Sequence, residues 1–196
     1  MKPFILGLTG SIGMGKSTTA ALFREAGIPV WDADAVVHRL YANGIAAKAL
    51  KPHFPEAVTG DLVSRETLKR LLSENPTQIE TLDRLIHPLV AQDREDFLAQ
   101  CESDLLVLDI PLLFEKNSEK LCDAVLVVTA PADIQRQRIV SRGTMSEAQL
   151  DLILSRQMPD REKRSRADHI VETLSIDGVR AYVAALIRYI RARSDA

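Results

Sequence analysis

Gly10-Ser11-Ile12-Gly13-Met14-Gly15-Lys16-Ser17-Thr18 satisfies the spacing G-x-x-x-x-G-K-[S/T]. Residues of these types at this spacing bind the phosphates of a nucleoside triphosphate. Glycines let the backbone curl until successive N–H groups face inward onto anionic oxygens. Lys16 then reaches the β- and γ-phosphates, and the Ser17 hydroxyl ligates Mg²⁺. A helix that starts at the lysine turns its positive end to the same phosphates.

Three groups of residues bear on what the triphosphate is used for. Asp32-Ala33-Asp34 reads as the end of a second strand, beside the strand that enters the loop. There the Asp34 carboxylate would orient an acceptor hydroxyl and take its proton late, because phosphoryl transfer has a loose transition state. Extended geometry would put Asp32 on the same face, where one of the two acids would touch Mg²⁺. The competing reading makes both acids helix caps. Asp109 ends an apolar run in the manner of a Walker B aspartate, or it caps a loop. Ile110-Pro111-Leu112-Leu113-Phe114-Glu115 follows it and is too apolar for an ordinary exposed loop. It is either a wall of an acceptor pocket, with Glu115 as its polar contact, or core. Arg138 and Arg142, four apart, project from one helix face and could clamp phosphate oxygens. Arg142, next to Gly143 and so near a hinge, is the expected moving cation. His87 before Pro88 is a substrate contact or a helix-boundary residue. His38, His53 and His169 lack ligand spacing, so no zinc site is expected.

The elements that must position these residues follow from periodicity. Phe4–Thr9 is a continuous apolar run, as in a strand buried on both faces. Lys16 to Ala26 reads as a helix stopped by Gly27. Further strands are expected at Pro29–Trp31, Leu105–Ile110, Ala124–Thr129 and His169–Val171. Val179, Tyr182, Val183, Leu186, Ile187 and Ile190 form the apolar stripe of a last helix. Strands alternating with helices imply an α/β fold: a P-loop-type parallel sheet covered by helices, with ligands at the carboxyl ends of the strands. Two stretches fall outside the alternation. Residues 35–102 show helical segments and no convincing strand, with Val63 and Leu68 flanking Ser64 at staple spacing and Asn75-Pro76 with Gln78 as a helix start. Ile79, Leu82, Leu85, Ile86 and Leu89 continue a helical pattern that Pro88 is expected to interrupt. Residues 134–166, rich in arginine and glutamine, read as a lid. The expected organisation is a single domain with core segments 1–34, 103–133 and 167–196, the insertion 35–102 and the lid.

Composition narrows the partners. With 196 residues, 46% hydrophobic and 27% charged, the chain reads as one ordinary globular domain. A net charge of −2 argues against a nucleic-acid partner. Cys101 and Cys122 are too isolated to suggest a disulfide or metal site. With no signal peptide and no apolar run near the ~20 residues of a membrane span, a cytoplasmic protein without membrane contact is expected, working as a monomer.

Taken in order, the motifs resemble those of bacterial dephospho-coenzyme A kinases, and the resemblance covers nearly the whole chain. It rests on Leu8-Thr9 with the glycine-rich loop, Asp32-Ala33-Asp34 with Arg39 close behind, and Ile86-His87-Pro88. It continues in Asp109-Ile110-Pro111-Leu112-Leu113-Phe114-Glu115, Gln135-x-x-Arg138-x-x-x-Arg142, Gln157 and Arg166-Ala167-Asp168. The resemblance implies transfer of the γ-phosphoryl of ATP to the ribose 3′-hydroxyl of dephospho-coenzyme A. It implies that Gly13, Met14, Gly15, Lys16, Ser17 and Thr18 cradle the ATP phosphates, with Ser17 on Mg²⁺. Asp34 would be the base or orienting acid, Lys16 and Arg142 the catalytic cations. Asp34, Arg39, His87, Pro111, Leu113 and Glu115 would line the acceptor side. Ser11 replaces a common glycine, Ile153 an arginine frequent four residues before Gln157, and Thr173 an asparagine common after the last strand. Two other readings are a P-loop kinase for a nucleoside monophosphate and a nucleotide-dependent switch. The chain has no [N/T]-K-x-D guanine-reading tetrad, which disfavours a GTPase.

Overall fold

An apolar run without alternation must be buried on both faces, and Phe4–Thr9 is: as β1 it is the middle strand of the larger sheet, buried from Ile5 onward. The chain was described with a computed structural model over residues 2–141, 143 and 145–194. After β1 come α1 (Lys16–Glu25), β2 (Val30–Asp32), α2 (Ala33–Ala42), α3 (Ile45–Leu50), β3 (Val58–Thr59), β4 (Leu62–Val63), α4 (Arg65–Glu74) and α5 (Gln78–Gln100). Then follow β5 (Leu105–Asp109), β6 (Ala124–Thr129), α6 (Ala132–Ser141), α7 (Glu147–Arg156), α8 (Asp160–Arg166), β7 (His169–Glu172) and α9 (Ile176–Ser194). The chain divides into two units, Met1–Trp31 with Glu102–Ala196, and Asp32–Cys101.

In the first unit the sheet order is β2-β5-β1-β6-β7. β1 pairs in parallel with β5 and β6, and β6 with β7. The register sets Asp109, the last residue of β5, opposite Leu8, just before the glycine-rich turn. α1 ends in a Schellman motif: the Ile28 N–H donates to the Phe23 carbonyl and the Gly27 N–H to that of Arg24, both at 3.0 Å. The stripe Val179, Val183, Leu186, Ile187 and Ile190 of α9 is buried with Leu22 and Phe23 of α1 in the main core cluster. No helix among the described residues is long and apolar enough to cross a membrane.

The second unit departs from the sequence reading in three places. Asp34 does not end a strand. The Asp32 side chain accepts the Ala35 N–H at 3.0 Å and caps α2, so the chain turns helical at Ala33 and Asp34 falls in the first helical turn. Asp32 and Asp34 therefore share no strand face, and the strand before them neighbours β5 rather than β1. Residues 58–63 form an antiparallel hairpin, β3 with β4, where no strand was expected. Two residues per strand are too few for alternation to show in the sequence. Finally, α5 runs without a break through Pro88. Proline in a helix interior removes one N–H and crowds a carbonyl one turn back, at a cost of about 3 kcal/mol. Packing of α5 against α2 and α3 carries the helix past it. The staple reading of α4 holds: Ser64 accepts the Thr67 N–H at 3.1 Å, and Val63 and Leu68 are both buried.

Candidate active site

The turn after β1 is built so that glycine alone fits its tight points. At Gly10 a Cβ would strike the Val128 side chain and come within 2.7 Å of the Val128 carbonyl oxygen. Gly15 caps α1 with φ +92°, and a Cβ there would lie 2.9 Å from the Thr173 hydroxyl. The first intrahelical bond of α1 runs from the Thr19 N–H to the Gly15 carbonyl at 3.1 Å. The N–H groups of Lys16, Ser17 and Thr18 thus have no acceptor within the helix and are available to an anion.

Lys16 and Asp109 meet at this turn. Lys16 Nζ lies 2.6 Å from Asp109 Oδ1, with the carboxylate almost wholly buried and the lysine slightly open. The pair joins α1 to the end of β5 and holds a cation at the helix start, where those N–H groups lie.

Side chains from distant segments fix the loop backbone. The Gln135 amide donates to the Ile12 carbonyl at 2.6 Å, and the Ile12 N–H donates to Gln157 Oε1 at 3.2 Å. The Thr173 hydroxyl, buried, donates to the Met14 carbonyl at 2.8 Å and accepts from Arg138 Nη1 at 2.9 Å. Arg138 also donates to the Thr173 carbonyl. The Ala130 N–H points at Met14 Sδ. Arg138 is therefore engaged in holding the loop through Thr173. Beside Gly15 and the first turn of α1 lies a cavity of about 190 Å³, lined among others by Thr18, Arg138, Thr173, Leu174, Ile176 and Val179.

The remaining expected residues are distributed as follows. Ser17 and Thr18 are exposed, and Met14 is buried beneath the loop. Asp34 is exposed on α2. Arg39, on the same helix, pairs with Asp93 of α5. His87 lies on α5, 3.8 Å from Asp83. The Pro111 carbonyl accepts from the Thr9 hydroxyl at 3.0 Å. Leu113 was expected on the acceptor side but is fully buried, in a cluster with Phe114, Val125 and Val127. Its side chain presents no surface to a ligand. Glu115, expected as an open polar contact, accepts the Met158 N–H at 2.9 Å and pairs with Lys163. Arg142 lies outside the described residues. Sequence reasoning missed Lys163, which sits in the charge-dense run Asp160-Arg161-Glu162-Lys163-Arg164 and has no feature there to separate it from solvated neighbours.

The sequence profile of the dephospho-CoA kinase family matches residues 4–177. The chain belongs to the dephospho-CoA kinase family. A dephospho-CoA kinase of Cereibacter sphaeroides is 58% identical over 197 residues, covering 100% of both chains. Among solved structures, a protein of Thermus thermophilus aligns with TM-score 0.85 at 38% identity, over 96% of this chain and 98% of that one. Dephospho-CoA kinase from Campylobacter jejuni aligns with TM-score 0.69 at 25% identity, over 95% and 96%. Membership makes the chain a kinase, a phosphotransferase that uses ATP. The bonds around Thr173 then acquire a consequence in a kinase of this family. Thr173→Val removes the donor to the Met14 carbonyl and the acceptor for Arg138, leaving buried polar groups short of partners. The KM for ATP should rise roughly fivefold, with Thr173→Ser restoring it. Steady-state kinetics of both variants checks this.

Proposed function

We propose that the chain transfers the γ-phosphoryl group of ATP to the ribose 3′-hydroxyl of dephospho-coenzyme A. The observation that carries this reading is the Lys16–Asp109 pair set at the mouth of the glycine-rich turn, in a chain that also holds the D-A-D and I-P-L-L-F-E motifs. The backbone from Gly13 to Thr18 cradles the phosphates, and Lys16 exchanges its contact with Asp109 for the β- and γ-oxygens. Positive charge there offsets what spreads onto the equatorial oxygens of the transferring group.

Hard divalent cations take oxygen ligands, and the oxygen donors at the turn include the exposed Ser17 hydroxyl and the buried Asp109 carboxylate. These would hold Mg²⁺. Bound there, the ion would supply positive charge to offset that of the phosphates. The adenine ring occupies the cavity beside Arg138, whose planar guanidinium suits stacking, with Leu174 and Ile176 as apolar contacts. The Thr173 hydroxyl is engaged by Met14, so selection of the purine falls to other groups.

Acceptor recognition falls to Asp34, Arg39 and His87 of the Asp32–Cys101 unit. Asp34 orients the 3′-hydroxyl and takes its proton. The lid, within 134–166, brings Arg142 to the transferring group. A net charge of −2 suits small-molecule substrates better than a nucleic-acid partner, and the reading is of a monomer working in the cytoplasm.

The test is coupled ADP release with a panel of acceptors. Rapid turnover is expected with dephospho-coenzyme A, the product carrying phosphate on the 3′-oxygen by phosphorus NMR. AMP and adenosine should leave the rate at its acceptor-free level. Absence of any stimulation by dephospho-coenzyme A would refute the assignment.

A further inference from the structure

Lys163 takes no part in the chemistry above, yet it is fully buried. A buried ammonium group persists only with a counter-charge. Its Nζ lies 2.8 Å from Glu115 Oε1, and that same oxygen accepts the Met158 N–H. Burial by itself would raise the Glu115 carboxyl. The positive charge of Lys163 and the bond from the Met158 N–H outweigh it and hold the group below its usual range.

The segment around this pair is attached at three points on the carboxyl end of the sheet. Gln157 binds the Ile12 N–H of the phosphate loop. Asp160 accepts from the Thr129 hydroxyl, the last residue of β6, at 2.9 Å. Glu115 and Lys163 join α8 to the segment that follows Asp109. A fourth contact reinforces the third: the Arg166 guanidinium lies 4.7 Å over the Phe114 ring and pairs with Glu119. The segment after Asp109 is itself tied to β1 through Thr9 and Pro111.

We propose that Lys163 is a positioning residue for phosphoryl transfer: with Glu115 it locks residues 157–166 to the sheet, so that the loop backbone at Ile12 and the Asp109 carboxylate keep a fixed spacing. Residues 157–166 are then part of the rigid core, and the moving part of the lid ends before Gln157. Charge is needed because an apolar side chain of equal length leaves Glu115 buried without its cation. The carboxylate then turns toward water and releases the Met158 N–H, and Gln157 loses its fixed place next to it.

The inference rests on the reaction proposed above, which wild-type turnover with dephospho-coenzyme A tests separately. Initial rates are measured on Lys163→Met, Glu115→Gln and the double variant Lys163→Met/Glu115→Leu, each well below its own Tm. Lys163→Met is expected to lower kcat about tenfold and raise the KM for ATP roughly fivefold, leaving the KM for dephospho-coenzyme A unchanged. Glu115→Gln keeps the volume and the Met158 bond, so it covers the case in which Lys163→Met does not fold. It should raise the KM for ATP by about twofold to threefold. The double variant removes both charges and should regain Tm while keeping the raised KM for ATP. An unchanged KM for ATP in the folded single variants, or a double variant that regains both Tm and KM, overturns the proposal and leaves the pair a stabilising contact alone.

Discussion

Lys16→Ala is expected to lower kcat on the order of 10³-fold, and to weaken ATP binding as well. Two separate losses produce this. The first is catalytic: the ammonium meets charge that develops on the β- and γ-oxygens, and such preorganised cations act most strongly where water is excluded. The second is structural. Lys16 is the cation 2.6 Å from a carboxylate with 2% of its side chain exposed. Removing one member of a buried pair typically costs about 3 kcal/mol or more, because the buried charge that stays loses its counter-charge. The nucleotide-free variant should therefore unfold at lower denaturant, and loss of rate must be measured where it is still folded. Lys16→Arg separates the two losses. It restores a cation for Asp109 and so most of the stability. Its planar, bulkier head does not reproduce the point charge of an ammonium, so the rate should stay low. Equilibrium denaturation and single-turnover kinetics on both variants give the answer. Full activity in Lys16→Arg would show that any cation suffices at this position.

The glycine-rich turn was legible because its pattern is local: the spacing from Gly10 to Thr18 marks it in the sequence, and the short apolar run before it fits a strand buried on both faces. The contacts that hold its backbone, from Gln135, Gln157 and Thr173, were not legible. The placement of Asp109 was legible for a similar reason: an acid that closes a run of four apolar residues falls at the strand end. What stayed hidden depends on contacts distant in sequence. Nothing near Lys163 distinguishes it from the exposed arginines on either side, since its burial comes from Glu115, 48 positions earlier. Leu113 was assigned to a pocket because the run around it is too apolar for solvent. That reasoning holds equally for a core, and the core is where Leu113 lies. The hydrogen bonds of Thr173 to Met14 and Arg138 span 159 and 35 positions. Pro88 shows the opposite failure: a strong local signal, overridden by the packing of a 23-residue helix.

The D-A-D motif makes a sharper case, because the structure separates the two acids that the sequence left together. Asp32 caps α2 through the Ala35 N–H, whereas Asp34, in the first turn, is exposed with its side chain outside that cap. A capping acid and a reacting acid respond differently to the same substitution. Asp34→Asn preserves size and leaves the cap untouched, but a carboxamide accepts no proton from the 3′-hydroxyl. The expected loss is about 10²- to 10⁴-fold in kcat, with ATP affinity unchanged because in the proposed reaction Asp34 acts on the acceptor alone. The loose transition state sets the size of this effect: the proton leaves late, so the residual rate comes from the phosphate cradle and not from a substitute base. Asp32→Ala should instead cost about 1 kcal/mol of stability through the lost cap and disturb kcat only slightly. Rapid-quench measurement of product formation, with ATP binding by calorimetry, distinguishes the pair. If Asp34→Asn turned over near the wild-type rate while Asp32→Ala did not, the roles would be exchanged: the cap would be the chemistry, and the exposed acid a charge that favours the start of α2.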